Sequence, residues 1–285
     1  MIQFISCDGK EIHFKKIPFS DGSTNYKLFV DSDFIIKDYY IISIDASTPC
    51  DNVLWELMLI KDALDVFVSE KTICKSNLML NYLPHARADR RFETGNSFPL
   101  KVFTKAISNL DFSEIYVIDA HSNYFIDNVG TIVNHIEQWD CFLNIDTGIQ
   151  SGDVLVAPDK GARKKIVDIQ HRLDKKVIAT FVVEASKKRD IETGRIIETT
   201  LSDNMSIQGK RCIIIDDIAD GGGTFIPLAE KLKQAGATRV DLYVTHGIFA
   251  KGIDIFNGIL DNIYCHQIIG NYITKQDLIN FNERN

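Results

Sequence analysis

Short, nearly continuous runs of hydrophobic residues recur along the chain, and such runs are typical of strands that are buried on both faces of a sheet. We predict strands at residues 39–44, 78–82, 115–118, 154–157, 177–183, 212–215 and 240–244. Between them the hydrophobic residues follow helical spacing. Strands that alternate with helices predict an α/β fold with mainly parallel sheets flanked by helices.

Two of the intervening helices are well marked by their ends. The first is predicted to run to residue 65 from an N-cap at Asp51 or Asn52. The second is predicted at residues 225–235, with Pro227 in the first turn and Gly236 as the C-terminal cap. The pattern divides into two halves between residues 131 and 152. In each half a predicted strand ends in acidic residues or histidine, and open α/β sheets bind ligands at the carboxyl ends of their strands.

The amino-acid composition favours a globular protein and disfavours a disulfide-rich or membrane-spanning one. Of the 285 residues, 45% are hydrophobic and 25% are charged, which is ordinary for a globular protein. Six scattered cysteines without a CxxC pair disfavour a zinc site or a disulfide framework and favour reduced thiols. The chain shows no basic-then-apolar leader and no apolar run of about 20 residues. We therefore expect a cytoplasmic protein that does not interact with a membrane.

The formal net charge of −7 argues against a nucleic-acid partner, because proteins of that class are usually basic or carry a strongly basic face. Basic residues nevertheless form short clusters, which suit a small polyanion better than a long one. The clusters are Arg87/Arg90/Arg91, Lys160/Arg163/Lys164/Lys165 and Lys187/Lys188/Arg189.

The segment 216–224, which we call the glycine loop, carries the clearest chemistry. A predicted strand leads into acidic residues and glycines, and a predicted helix follows at once; the loop's candidate binding residues are Asp216, Asp217, Asp220, Gly221, Gly222, Gly223 and Thr224. Glycines let backbone N–H groups close on an anion, and a helix N-terminus favours negative charge. The lysine of a Walker A motif is absent. Because carboxylates suit sugar hydroxyls or a hydrated metal, we expect a sugar with a phosphate at one end.

The glycine loop resembles the phosphoribosyl diphosphate loop shared by type I phosphoribosyltransferases and ribose-phosphate diphosphokinases. The segment 82–91 (Tyr-Leu-Pro-His-Ala-Arg-Ala-Asp-Arg-Arg) resembles the ATP-binding motif of the diphosphokinases, and the motifs follow that family's order. The resemblance implies two phosphoribosyltransferase-like domains. An ATP-binding domain would span residues 1–135 and a sugar-phosphate-binding domain residues 136–285. Packing of the last helix on the N-terminal domain is left open.

The resemblance also implies roles for individual residues. The ATP-binding residues would be Phe19, Asp21, Arg87, Asp89, Arg90 and His121. The ligands of Mg²⁺, the implied cofactor, would be His121 and Asp159. Lys187 and Arg189 would be catalytic, in a mobile loop over residues 184–194 that closes on the transferring phosphates. The two aspartates at the start of the glycine loop would orient sugar hydroxyls, and residues 220–224 would hold the 5-phosphate.

The implied reaction transfers the diphosphate of ATP to the anomeric hydroxyl of ribose 5-phosphate, which yields phosphoribosyl diphosphate and AMP. A homo-oligomer with its ATP site at a subunit interface is also implied. The chain departs from the family pattern at Ser23, Ala88, Tyr124 and Gly221, which replace Glu, Gln, Gln and Thr. Because Gly221 would open space beside the 5-phosphate, a larger acceptor such as ADP-ribose is an alternative. A non-catalytic regulatory homologue ranks third, and a phosphoribosyltransferase ranks lower still.

Overall fold

The computed structural model describes residues 2–6, 12–29, 38–44, 50–69, 74–189, 196–203 and 207–284. The chain divides into two compact units, Met1–Ile136 and Glu137–Asn285. Each unit has its own hydrophobic core built on its own sheet. No helix in the described ranges is long and apolar enough to cross a membrane.

The first unit is built on a five-stranded sheet in the order β1-β4-β5-β6-β7. Its strands are β1 (Ile2–Ser6), β4 (Tyr39–Ile44), β5 (Lys75–Leu80), β6 (Glu114–Ile118) and β7 (Ile132–Ile136). All neighbouring pairs are parallel except β1–β4. The strands β2 (His13–Pro18) and β3 (Thr24–Phe29) form a separate antiparallel hairpin. The helices are α1 (Cys50–Ser69), α2 (Pro99–Ser108) and α3 (Tyr124–Asn128).

The second unit is built on a six-stranded sheet in the order β10-β9-β8-β11-β12-β13. Its strands are β8 (Val154–Ala157), β9 (Phe181–Arg189), β10 (Ile196–Leu201), β11 (Arg211–Ala219), β12 (Arg239–Gly247) and β13 (Asn262–Ile268). Only the β9–β10 pair is antiparallel. The helices are α4 (Gln138–Leu143), α5 (Arg163–Lys175), α6 (Phe225–Gln234) and α7 (Lys275–Arg284), with a short 3₁₀ helix at Asp254–Phe256.

Strand β11 shows why the hydrophobic runs of the sequence are continuous. Cys212 and Ile214 join one core cluster, whereas Ile213 and Ile215 join the cluster on the opposite face of the sheet. Successive side chains of a strand point to opposite faces, so both faces of this strand are covered. The predicted α/β class with mainly parallel sheets is confirmed.

Several predicted boundaries were wrong. Helix α1 begins at Cys50 and ends at Ser69, so Asp51 and Asn52 lie inside the helix instead of capping it. The run 177–183 is a turn followed by a strand, because β9 begins only at Phe181. The sequence prediction also missed β1, β7, β10, β13 and the β2–β3 hairpin.

Helix α7 packs on the core of the second unit. Leu278 and Phe281 are buried in the same core cluster as Ile263 of β13. The side-chain amide of Asn282 donates to the Ile263 carbonyl (3.0 Å), and its oxygen accepts from the Ile263 amide (2.9 Å). The helix therefore covers the edge strand of its own sheet.

The helices α5 and α6 end in the same hydrogen-bond motif. At α6 the amides of Gly236 and Ala237 donate to the carbonyls of Lys233 and Leu232, which is the Schellman arrangement. Gly236 has φ +92° and is the cap that the sequence predicted. At α5 the left-handed position of the motif is taken by Val177, with φ +63°.

Candidate active site

The glycine loop begins where β11 ends and is fixed to the neighbouring strand. Within β11–β12 the parallel ladder continues to Ala219 opposite Gly247. The Ala219 carbonyl then accepts two further hydrogen bonds, from the amides of Ile248 (2.7 Å) and Phe249 (3.2 Å). The far end of the loop is fixed as well, because the amides of Phe225 and Ile226 donate to the Gly222 carbonyl (3.1 and 3.0 Å).

Two glycines are required by this packing. Gly222 has φ +76°, and a Cβ atom there would lie 2.9 Å from Ile255 Cδ1 and 3.2 Å from Phe256 Cε1. A Cβ atom on Gly247 would lie 2.2 Å from the Phe249 ring. Side chains at either position would displace the loop or its support. By contrast, a Cβ atom on Gly223 would have no neighbour within 4 Å.

Three carboxylates gather at the base of the glycine loop. Burial raises the pKa of Asp216 well above its ordinary range, and the charges of Asp217 and Asp159 raise it further. The Asp217 amide donates to Asp216 Oδ1 (3.0 Å), which works in the opposite direction. Asp159 lies in the turn before α5, where its Oδ1 accepts from the Ala162 amide (3.1 Å). The sheet thus brings together two sequence motifs that are 57 residues apart.

These carboxylates fit a divalent cation. Mg²⁺ prefers oxygen ligands and usually keeps waters, so one or two protein carboxylates are enough when a substrate supplies phosphate. A cation would also offset the mutual repulsion that raises the Asp216 pKa. Within the described ranges, no group of three or more His, Cys, Asp or Glu side chains has the arrangement of a metal cage.

The Lys251 side chain lies beside Gly221, where the sequence predicted open space. A Cβ atom there would lie 3.4 Å from Cε, 3.6 Å from Cδ and 3.8 Å from Nζ of Lys251. Lys251 follows β12 and is exposed to solvent. A lysine from the connection after β12 therefore lies beside the position where the loop lacks a side chain.

In the first unit, the 82–91 segment is an irregular loop after β5. His85 has φ +60° and packs edge-on against Phe103 at 6.0 Å between ring centroids. Arg87 is exposed. Arg90 Nε lies 3.4 Å from Asp89 Oδ1, and because the arginine side chain is exposed this ion pair contributes little to stability.

The segment 119–121 follows β6 at the carboxyl edge of the first sheet. Asp119 is buried and has φ +37°, a conformation that non-glycine residues rarely adopt outside functional sites and tight turns. Its amide donates to the Ile136 carbonyl (2.8 Å), and the Ala120 amide donates to His135 Nε2 (3.0 Å). This backbone anchoring presents His121 to solvent.

Phe19 and Asp21 lie in the turn of the β2–β3 hairpin. The Phe19 side chain is 53% exposed, which is high for an aromatic ring and leaves it available to a partner. Asp21 Oδ1 accepts hydrogen bonds from the Ser23 amide (2.9 Å) and hydroxyl (2.7 Å), which lower the pKa of Asp21. Ser23, one of the departures from the family pattern, thus stabilises the turn.

Lys187 and Arg189 lie in a strand, which corrects the prediction of a loop from residue 184. Both belong to β9, where they pair with Thr199 and Ile196 of β10. The β-branched partners Thr199 and Thr200 favour pairing of this kind. The other half of the predicted lid, residues 190–194, lies outside the described residues.

The similarity of this chain to known proteins identifies its family. A family model described as a phosphoribosyl transferase domain matches residues 127–256. A ribose-phosphate pyrophosphokinase of Mycoplasmopsis pulmonis is 28% identical over 261 residues, which cover 88% of this chain and 78% of the relative. One of Pyrococcus abyssi is 30% identical over 207 residues, which cover 72% and 67%. The chain belongs to the ribose-phosphate pyrophosphokinase family.

The fold of the family is found in the structure as well. A crystal structure of phosphoribosylpyrophosphate synthetase from Mycobacterium smegmatis matches with a TM-score of 0.72 at 17% identity, over 90% of this chain and 81% of that one. The family, the fold class and the transferase class predicted from the sequence are thus confirmed.

Two residues that contact predicted site segments of this pyrophosphokinase-family chain were not among the candidates predicted from the sequence. Lys251 was overlooked, although a lysine a few residues after the strand 240–244 is a charged residue at the ligand-binding edge of a sheet. His135 was overlooked because it lies inside β7, a strand that was not predicted. Of the predicted residues, Asp159 and Asp216–Asp217 are shown to lie together.

Proposed function

We propose that the chain transfers the β,γ-diphosphate of ATP to ribose 5-phosphate. The oxygen of the sugar's anomeric hydroxyl attacks the β-phosphorus of ATP and loses its proton to solvent. The bond between the β-phosphorus and the α,β-bridging oxygen breaks, and AMP leaves with that oxygen. The products are phosphoribosyl diphosphate and AMP.

The observation that carries the proposal is the joining of Asp159 and Asp216 at the base of a glycine loop that leads into a helix. The glycine-rich backbone of the loop can turn N–H groups toward a phosphate, and the positive end of the α6 dipole favours an anion at the same place. The carboxylates offer acceptors to the sugar hydroxyls and to the Mg²⁺ that accompanies ATP. A sugar phosphate bound here would have its hydroxyls beside the cation and its phosphate in the loop.

Positive charge at the start of α5 supports the same function. The first helical residues are Arg163, Lys164 and Lys165, with no acidic residue in the turn. Cations at a helix N-terminus lower the stability of the helix, because the helix dipole is positive there. Three basic residues at this position are therefore better explained by the binding of an anion than by helix stability. Arg163 Nε lies 3.0 Å from Glu184 Oε2 on β9, whereas Lys164 is exposed in the first turn of the helix.

Phosphoryl transfer requires mainly positioning and charge stabilisation from the protein. In this proposal Arg87, Asp89 and Arg90 bind ATP together with Phe19 and Asp21, and His121 and Asp159 bind the metal. Lys187 and Arg189 stabilise the charge of the transferring diphosphate and of AMP. The ATP site is completed at the interface of a homo-oligomer in the cytoplasm.

The alternative acceptor, a sugar whose 5-phosphate carries a further group, is less well supported. It was suggested by the missing side chain at Gly221, but the Lys251 chain lies in that space. A group attached to the 5-phosphate on this side of the loop would lie against the Lys251 side chain. We therefore propose the phosphate monoester as the substrate.

The test is release of AMP from ATP and Mg²⁺ with ribose 5-phosphate, ADP-ribose or no sugar. AMP formed only with ribose 5-phosphate supports the proposal, and AMP formed only with ADP-ribose overturns the choice of acceptor. ATP binding without AMP release would favour a regulatory homologue.

Substitutions test the proposed catalytic roles of Lys187 and Arg189. Lys187→Ala and Arg189→Ala are expected to lower kcat about 100-fold or more with little change in the Kd of ATP, since the loss of a positioned charge acts on the transition state. Lys188→Ala is the matched control and is expected to retain activity. Equal losses in all three variants would contradict specific roles for Lys187 and Arg189.

A further inference from the structure

The Lys251 side chain runs along the glycine loop at Gly221. Three of its atoms, Cδ, Cε and Nζ, lie 3.4–3.8 Å from the position that a Gly221 Cβ would take. The ammonium nitrogen is the farthest of the three, at 3.8 Å from that position. No ion pair or hydrogen bond ties it to any residue that the structure describes.

The turn that carries Lys251 is fixed to the same strand end as the loop. The amides of Ile248 and Phe249 both donate to Ala219, the residue just before Asp220. Phe249 is fully buried with φ +50°, and the Gly252 amide closes the turn on the Phe249 carbonyl (2.8 Å). Because backbone bonds and a buried ring hold the turn, the base of the Lys251 side chain has a defined position at the loop.

The charges of the loop itself do not suit an anion well. Asp216, Asp217 and Asp220 precede the glycines, and Lys251 is the cation that the structure places against Gly221. An ammonium group is a compact point charge with three donors, and lysine serves other phosphate-binding loops in this way. A phosphate seated on the loop would come within reach of this group.

We propose that Lys251 is a specificity residue that binds the terminal phosphate of the sugar, in place of the side chain absent at Gly221. This inference rests on the proposed function. A phosphate monoester is close to doubly charged at neutral pH, its second pKa being about 6. It therefore gains more from a cation than a singly charged diester does.

The experiment compares Lys251→Met and Lys251→Arg with wild type, using AMP release and calorimetric binding of ribose 5-phosphate. Lys251→Met is expected to raise the KM and the Kd of ribose 5-phosphate about 10- to 100-fold, the range for loss of a charged hydrogen bond. The KM of ATP should change less than about twofold. Lys251→Arg keeps the charge and should recover most of the affinity.

The matched control is Lys175→Met in the last turn of α5, an exposed lysine at the other end of that helix from Asp159. This variant should bind ribose 5-phosphate like wild type. A second variant, Gly221→Thr, should raise the KM in wild type and have a smaller effect in the Lys251→Met background, since its side chain competes with Lys251 for the same space.

The outcomes separate this inference from the proposed function. Wild type that releases AMP, with Lys251→Met unchanged in KM and Kd, overturns the role of Lys251 and leaves the function standing. Wild type that binds ribose 5-phosphate without releasing AMP overturns the function, while weaker binding by Lys251→Met still supports Lys251. If wild type does not bind ribose 5-phosphate, both proposals fail.

Discussion

The carboxylates of Asp159, in the turn before α5, and Asp216, at the end of β11, lie close enough to interact. Burial raises the pKa of Asp216 most, and the charges of Asp217 and then Asp159 raise it further. An acid whose pKa is raised in the folded state favours its neutral form there. Its contribution to stability is therefore greatest at acid pH and is lost as the pH rises through the folded-state pKa. The ligand-free protein is thus destabilised by its own site at neutral pH, a common cost of function.

The first prediction follows from this relationship. Asp216→Asn, measured in EDTA at pH 8, is expected to unfold at a higher temperature than wild type, because a neutral amide avoids the charge. The difference should shrink as the pH approaches the ordinary carboxyl value of about 4. AMP release should fall about 10- to 100-fold.

Asp168→Asn on the exposed side of α5 is the control and should change neither property substantially. An Asp216→Asn protein that is less stable than wild type at pH 8 would show that the Asp216 charge is needed for folding, against the prediction.

The two neighbouring glycines of the loop should respond differently to alanine. Gly222→Ala is expected to cost about 1–3 kcal/mol in urea unfolding, because φ is +76° and the new Cβ would meet Ile255 and Phe256. Gly223→Ala should cost less than about 0.5 kcal/mol, since it adds a methyl group in open space. Equal costs would mean that the loop is not packed as described.

The paired helix ends offer a stabilising substitution. Val177 takes the left-handed position after α5 that Gly236 takes after α6, and its side chain is 88% exposed. Val177→Gly is expected to raise the free energy of unfolding by about 0.5–1 kcal/mol, because strain is relieved and little packing is lost. Gly236→Ala is expected to lower it by about 1 kcal/mol. Chemical denaturation measures both, and a destabilised Val177→Gly protein would contradict this account.

His135 is expected to position the segment that carries His121. Its Nε2 accepts the Ala120 amide hydrogen, so His135→Leu would leave that donor unsatisfied, at a cost of about 1–3 kcal/mol. His135→Gln can offer a side-chain oxygen at a similar distance and should recover part of the loss. If His121 binds the metal–ATP complex, the KM of ATP should rise in His135→Leu and recover in His135→Gln. An unchanged KM in both variants would limit His135 to a structural role.

The fold class and the family could be predicted from local patterns in the sequence, and the residues of the candidate site were proposed from the same motifs. Continuous hydrophobic runs indicate doubly covered strands because both faces of β8 and β11 must be apolar. The glycine loop is equally local: its carboxylates, its glycines and the helix start all lie within residues 216–226. Strand Val154–Ala157 was predicted with the same bounds as in the structure.

Features that depend on contacts between distant parts of the chain could not be predicted from local sequence patterns. The strand character of Lys187 and Arg189 comes from pairing with β10, and the turn at Val177 comes from the hydrogen bonds that end α5. The nearness of Asp159 to Asp216 arises from two adjacent parallel strands. Lys251 is the clearest example. The sequence shows that the loop lacks a side chain at Gly221, but only the packing of the connection after β12 against β11 shows that Lys251 lies beside it.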